Sequence, residues 1–291
     1  MSRASWSAFA ALLLLAAAPS AAIGAEAGSR AAALRERFAA LDVDASGPFG
    51  LPLHLASKQG DGTLAGDVHA RVEHRFETVR EALRISARWC EIMILHPNVK
   101  GCRTSGPAHG GGNVEVRVGR AGHVVDFRFR IAAATDDYLD VRLEAPTGPA
   151  GTSDYRIRVE ATPLDAQATL LHLAYSHGFG AQARLAMDAY FATFGRDKVG
   201  FTVVGRDAAG APVHVRDLRG GLERNAMRYY LAIRAYLDVL ALPRAQRLEQ
   251  SLRKWIAYTQ RWPRQLGEDE GHADVKRRDI ARMQGGDGAG S

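Results

Sequence analysis

From about residue 99 to residue 177, apolar side chains fall on every second position. Val114, Val116 and Val118 alternate with Glu115 and Arg117, and Val125, Phe127, Phe129 and Ile131 with Asp126, Arg128 and Arg130. The same period recurs with Leu139, Val141 and Leu143, then with Tyr155, Ile157, Val159 and Ala161, then with Leu171, Leu173 and Tyr175. A period of two places successive side chains on opposite faces of a strand. Short breaks rich in Gly and Pro separate the runs, too short for parallel crossovers, so the strands must be sequential and antiparallel. Each has one apolar and one charged face, which predicts a sheet wet on one side and covered on the other.

Helices must supply the cover. Before the sheet, residues 51–57 and the turn at 58–62 read as a hairpin feeding a strand over 67–76. The period then becomes helical, with Phe76, Val79 and Leu83 on one short helix and Trp89, Ile92, Met93 and His96 on another, stopped by Pro97. Leu34, Phe38 and Leu41 predict a helix over 31–41 closed by the Gly47-Pro-Phe-Gly segment. After the sheet, residues 181–195 and 222–242 are helical, with a hairpin over 199–215 between them. A further helix after Pro243 presents Leu248, Leu252, Trp255, Ile256 and Trp262. Beyond Leu266 the Gly, Asp, Glu, Arg and Lys content predicts a flexible tail.

The chain has 291 residues, 46% hydrophobic and 24% charged, with a formal charge of +6. That composition suits a folded globular protein and excludes a fibrous one. Its first apolar run, 8–18, follows Arg3 and precedes small residues, the layout of a secretory leader cleaved after Ala22 or Ala25. At roughly a dozen residues the run is shorter than the ~20 needed to span a bilayer. The Ala- and Arg-rich composition suits a high-GC bacterium and hence a periplasmic destination. In that oxidising space Cys90 and Cys102 can form a disulfide closing a short loop; the alternative is two small buried side chains.

The run Gly66-Asp-Val-His-Ala-Arg-Val-Glu-His-Arg-Phe-Glu-Thr-Val-Arg-Glu-Ala-Leu, followed by Trp89, leads from a first strand into two short helices. With the strands and helix that follow, it resembles the START-like (SRPBCC, Bet v 1-like) superfamily. The pairs Trp89-Cys and Lys100-Gly-Cys, with the blocks beginning at Gly151, Asp197 and Glu223, also resemble a group of secreted proteobacterial proteins. The resemblance implies an α+β helix-grip fold, a curved antiparallel sheet wrapped around a long helix, with an extra N-terminal helix and hairpin and extra C-terminal helices. The expected divisions are a leader (1–25), an N-terminal extension (26–63), the helix-grip core (64–195), a C-terminal hairpin and helices (196–266) and the tail (267–291). Either 181–195 or 222–242 could be the gripped helix.

A sheet curved around one helix leaves an apolar hollow, commonly ~300–1,000 Å³ where it holds a small molecule. The resemblance implies binding of a lipid or other hydrophobic small molecule there, without catalysis. Phe127, Phe129, Val141, Leu143, Tyr155, Ile157 and Tyr175 are the expected wall, with Trp89 and Met93 near the mouth. Arg224 and Arg228, one helical turn apart, could receive an anionic headgroup or pair with surface carboxylates. The alternatives are an interaction or structural protein with a filled groove, and an acid–base enzyme of the cyclase or dehydratase type using Asp154, Tyr155, His172 and Tyr175. No metal-ligand spacing, phosphate loop or nucleophile elbow occurs, so no metal, cofactor or catalytic residue is assigned. His69 with His74, and His172 with His177, are five apart and lie on opposite strand faces. Basic residues are dispersed, which argues against nucleic acid and is compatible with transient contact with an anionic membrane surface.

Overall fold

The computed structural model describes residues 18–41, 43, 49–107, 110–193 and 195–287. Most of the leader run, and the Gly47-Pro stop after the first helix, lie outside the described residues. The chain begins with α1 (Ala18–Ala40), then β1 (Leu53–Gly60), β2 (Thr63–Val72), α2 (Phe76–Leu83), α3 (Ser86–Met93) and β3 (Val99–Ser105). Next come β4 (Gly111–Val118), β5 (His123–Ala134), β6 (Leu139–Thr147), β7 (Thr152–Pro163) and β8 (Thr169–Phe179). It closes with α4 (Ala181–Ala192), the hairpin β9 (Val203–Arg206) and β10 (Pro212–His214), α5 (Asp217–Leu237), α6 (Arg244–Thr259) and α7 (Glu270–Asp287).

One antiparallel sheet has the order β1-β2-β8-β7-β6-β5-β4-β3. The last strand pairs with β2, the strand preceding the two short helices, so β2 to β8 form the helix-grip arrangement and β1 is an added edge. The period-two pattern fixes the register: Val68 lies opposite Leu173, and Ala70 opposite Leu171, all on the concave side.

The gripped helix is α5. It packs on β1, β2, β8 and α3, with Leu222, Ala226, Met227, Tyr230 and Ile233 buried. At Gly66 the helix lies in van der Waals range of the strand, a Cβ position there being 3.4 Å from Leu222 Cδ2 and 3.6 Å from Ala226 Cβ. Residues 181–195 are not the core helix: in α4 only Ala183 is buried, and Leu185 is 73% exposed. The four-three spacing of 222–242 yields a continuous apolar stripe, which α4 lacks.

The expected tail is corrected from Glu270 onward. There α7 packs on β3 and α6, burying Ala273 and Ile280. Its sparse apolar pattern hides a polar anchor. The Lys276 ammonium, 1% exposed, donates to the carbonyls of Ile94 (3.2 Å), His96 (3.3 Å) and Val99 and pairs with Asp279. The Cys90–Cys102 disulfide, with a Cα separation of 5.2 Å, closes the same segment from its two ends.

The convex face also departs from expectation, because α1 lies against β7 and β8 rather than leaving them wet. Ala27 and Ala31 cover Tyr138, and Arg30 reaches Asp140 at 3.5 Å. Asp140, fully buried, holds Arg142 and Arg158 at 2.7 Å each. Beside it His172 bridges Glu160 (3.0 Å) and Asp67 (2.8 Å) and stacks on His69 at 4.2 Å.

Candidate functional site

The concave side is largely filled. Trp89 is held by an indole N–H donated to the Leu83 carbonyl at 2.8 Å. Together with Met93, Phe129, Val141, Leu143 and Ile157 it is core, each side chain at most 1% exposed. None of these six expected wall or mouth positions lines the hollow that remains; they sit in the buried core, where Trp89 of α3 lies 6.4 Å from Phe129 of β5.

A hollow survives at one end, where the segment following α3 turns into β3 and α5 presents Asn225 and Tyr229. It measures about 110 Å³, well below the expected size. Its wall includes three anticipated residues, Phe127, Tyr155 and Tyr175, together with Val116, Val118 and Val125 from the same sheet face. The rings form a continuous lining. Phe127 meets Tyr155 edge-on at 6.4 Å, Tyr155 lies 6.5 Å from Tyr175, Tyr175 lies 5.4 Å from Tyr229, and Tyr229 stacks on His96 at 4.8 Å.

The lining is neutral. Burial pushes the phenols of Tyr175 and Tyr229 well above their ordinary range, so both keep their protons. Burial likewise pushes His96 down, reinforced by the charges of Arg228 and Lys276. His96 accepts the Asn98 N–H through Nδ1 at 3.2 Å, leaving Nε2 protonated to donate to Asn225 Oδ1 at 3.3 Å. Tyr155 exchanges a hydrogen bond with Thr152 at 2.8 Å. The Tyr229 hydroxyl has no hydrogen bond to a protein group among the described residues.

Asn98 and Asn225 also border a larger outer groove of about 750 Å³. One side of it is α4, with Met187, Tyr190 and Phe191; the other is α5 and the segment before α7. Both expected arginines line it, and their surroundings differ. Arg228 donates to Glu268 at 2.7 Å and to the Leu266 carbonyl at 3.2 Å. Arg224, 5% exposed, donates to the Val199 carbonyl at 3.3 Å and stands 6.0 Å from the Phe191 ring centre. The wall behind Arg224 is set by Glu223, which accepts Ser57 Oγ, the Phe201 and Thr202 amides and Thr202 Oγ at 2.5–2.9 Å.

The proposed acid–base set is not assembled. His172 lies on the convex face, and Asp154 is exposed in the bulge of β7, accepting from Ser153 at 2.8 Å; neither joins Tyr155 and Tyr175. Among the described residues no group of His, Cys, Asp and Glu is arranged to hold a metal ion, and no helix is long and apolar enough to cross a membrane. Sequence reasoning missed His96, His177, Asn225 and Tyr229. The available signal was the spacing of Asn225 and Tyr229, which places both on the face of α5 that meets the sheet.

No protein-family model and no curated protein matches the chain. Similar solved structures include norcoclaurine synthase from Thalictrum flavum, 9% identical, covering 45% of this chain and 86% of that one at a TM-score of 0.34. Human StAR-related lipid transfer protein 5 is 12% identical, with coverages of 58% and 90% and a TM-score of 0.32. Zhui aromatase/cyclase from Streptomyces sp. R1128 is 15% identical, with coverages of 69% and 94% and a TM-score of 0.34. These likenesses are distant, and the fold assignment rests on the strand order of the chain itself.

Proposed function

We propose that the protein binds a hydrophobic small molecule, without catalysis, in the aromatic hollow and the groove that shares its rim. The observation that carries this reading is that the two spaces share Asn98 and Asn225 as lining residues. The inner space admits a ring or a short alkyl segment, and the groove takes the remainder of the ligand. Burial of apolar surface, at ~25 cal/mol per Å², supplies affinity with no reacting group. The uncommitted Tyr229 hydroxyl offers one neutral hydrogen-bonding point.

Two features support a non-enzymatic role. No carboxylate lines the inner hollow among the described residues, and both nitrogens of its neutral imidazole, His96, are engaged within the protein. The reading places the protein in the periplasm, supported by the apolar N-terminal run and an oxidised cysteine pair. The positive net charge favours transient contact with anionic membrane surfaces, where an apolar ligand could be collected.

N-phenyl-1-naphthylamine, whose emission rises in apolar surroundings, tests the reading. Saturable one-to-one binding at micromolar concentration, displaced by a lipid extract of the producing cells, is the expected result. Absence of any emission change, together with native mass spectra free of adducts, would overturn it in favour of a filled groove.

A further inference from the structure

Arg224 and Arg228 stand one turn apart on α5, yet only one of them is neutralised. Arg228 has its carboxylate in Glu268. Arg224 has none within ion-pair distance among the described residues. The adjacent Glu223 is spent on Ser57, Phe201 and Thr202, and Glu268 is spent on Arg228. A guanidinium carries five N–H donors, and among the described residues Arg224 uses one, on the Val199 carbonyl. A charge removed from water without a partner is unfavourable. The effect is visible in its acidity: burial and the nearby Arg228 charge push Arg224 down to about 10.

The groove around it is positive and partly apolar. Among the described residues Lys198, Arg224, Arg228 and Arg264 line it against the single carboxylate of Glu268. Glu268 meets Arg228 through Oε1, and its Oε2 has no hydrogen bond among the described residues. Across from Arg224 stand Met187 and Phe191 of α4. An arginine fork beside an aromatic wall is the arrangement that reads a planar or tetrahedral oxyanion joined to an apolar body.

We propose that the ligand is an anionic amphiphile whose single carboxylate, sulfonate or phosphate-ester group sits on the free N–H edge of Arg224. Its apolar body runs between Met187 and Phe191 toward Tyr229. The inference rests on the aromatic-hollow reading and adds to it the class of the ligand.

Two probes sharing one ring system separate the two ideas: anionic 8-anilinonaphthalene-1-sulfonate and neutral N-phenyl-1-naphthylamine. With Arg224→Met the anionic probe is expected to bind at least about tenfold more weakly, the usual scale for losing a charged hydrogen bond. The neutral probe should change less than about threefold, and Arg224→Lys, which keeps the charge but not the fork, should fall between the unaltered protein and Arg224→Met for the anionic probe. Equal losses for both probes, or none for either, would overturn the anion site while leaving the hollow as a binding site. If neither probe binds the unaltered protein, both readings fall. Should Arg224→Met lower the melting temperature too far to measure, Arg224→Lys and a salt titration decide: anionic affinity must fall with ionic strength while neutral affinity holds. Competition identifies the source of the anion. Laurate should displace the anionic probe where inorganic phosphate at the same concentration does not; displacement by phosphate alone would mark a free-anion site and overturn the amphiphile.

Discussion

His172 is flanked by two carboxylates under α1, and its titration should be readable in the stability of the fold. Burial opposes its charge, but hydrogen bonds to Asp67 and Glu160 prevail and raise its pKa. A raised folded-state value means stabilisation that is complete below the ordinary 6.5 and is lost as pH climbs through the folded value. His172→Gln is therefore expected to be destabilised by about 2–3 kcal/mol at pH 6, with the gap to the unaltered protein closing under alkaline conditions. His69 behaves oppositely. Burial, with the neighbouring His172 charge, pushes it down to about 3, and both its ring nitrogens lack hydrogen-bond partners among the described residues. The unfolded chain takes up that proton near pH 6.5 and the folded chain does not, so stability falls as pH drops below it. In His69→Phe this acid-side loss should be smaller than in the unaltered protein. Urea titrations between pH 4 and pH 9 read both; parallel profiles for all three proteins would contradict the assignment. None of this was legible in the sequence, where alternation placed these side chains on the outer face of the sheet and nothing announced that α1 would cover them.

At the scale of elements, periodicity disclosed most of the architecture and failed where polar contacts replace apolar ones. Phe76, Val79 and Leu83 marked α2, and the alternating runs marked β4 to β8, because each buries one face against a continuous core. The α7 helix escaped notice because what fixes it is the Lys276 ammonium among three carbonyls, and no hydrophobic period reports such an anchor. That anchor and the disulfide hold the same segment, which carries His96 and Asn98 into the rim of the hollow. Reducing the Cys90–Cys102 bond is expected to remove about 3 kcal/mol of stability, as for a short closed loop. Lys276→Met should lose about 2–3 kcal/mol by leaving the three carbonyls without their donor, while Asp279 keeps Arg282 and Lys100 as partners. Chemical denaturation measures each, and in both cases neutral-probe affinity should weaken because the rim loses its support. Unchanged probe binding after reduction would show that Lys276 alone holds the segment.

Over the whole molecule, the helix-grip plan could be inferred from order and spacing, while the size of its hollow could not. Volume depends on which side chains meet across the interior, and a one-dimensional pattern treats Trp89 or Phe129 as wall and filler alike. Nor could the sequence choose between the two arginines of α5, since the partner of Arg228 arrives from forty residues further along the chain. Both spaces share Asn98 and Asn225, so in the proposed binding mode a molecule long enough to occupy them together passes these two amides, of which Asn225 stands on the gripped helix. Its side chain works as a threshold, and its bulk sets how much of a guest can enter the inner room. Asn225→Trp should seat short guests in the outer vestibule and refuse long ones. A series of alkyl carboxylates of rising length would show affinity that climbs with length in the natural protein and levels off early in the variant.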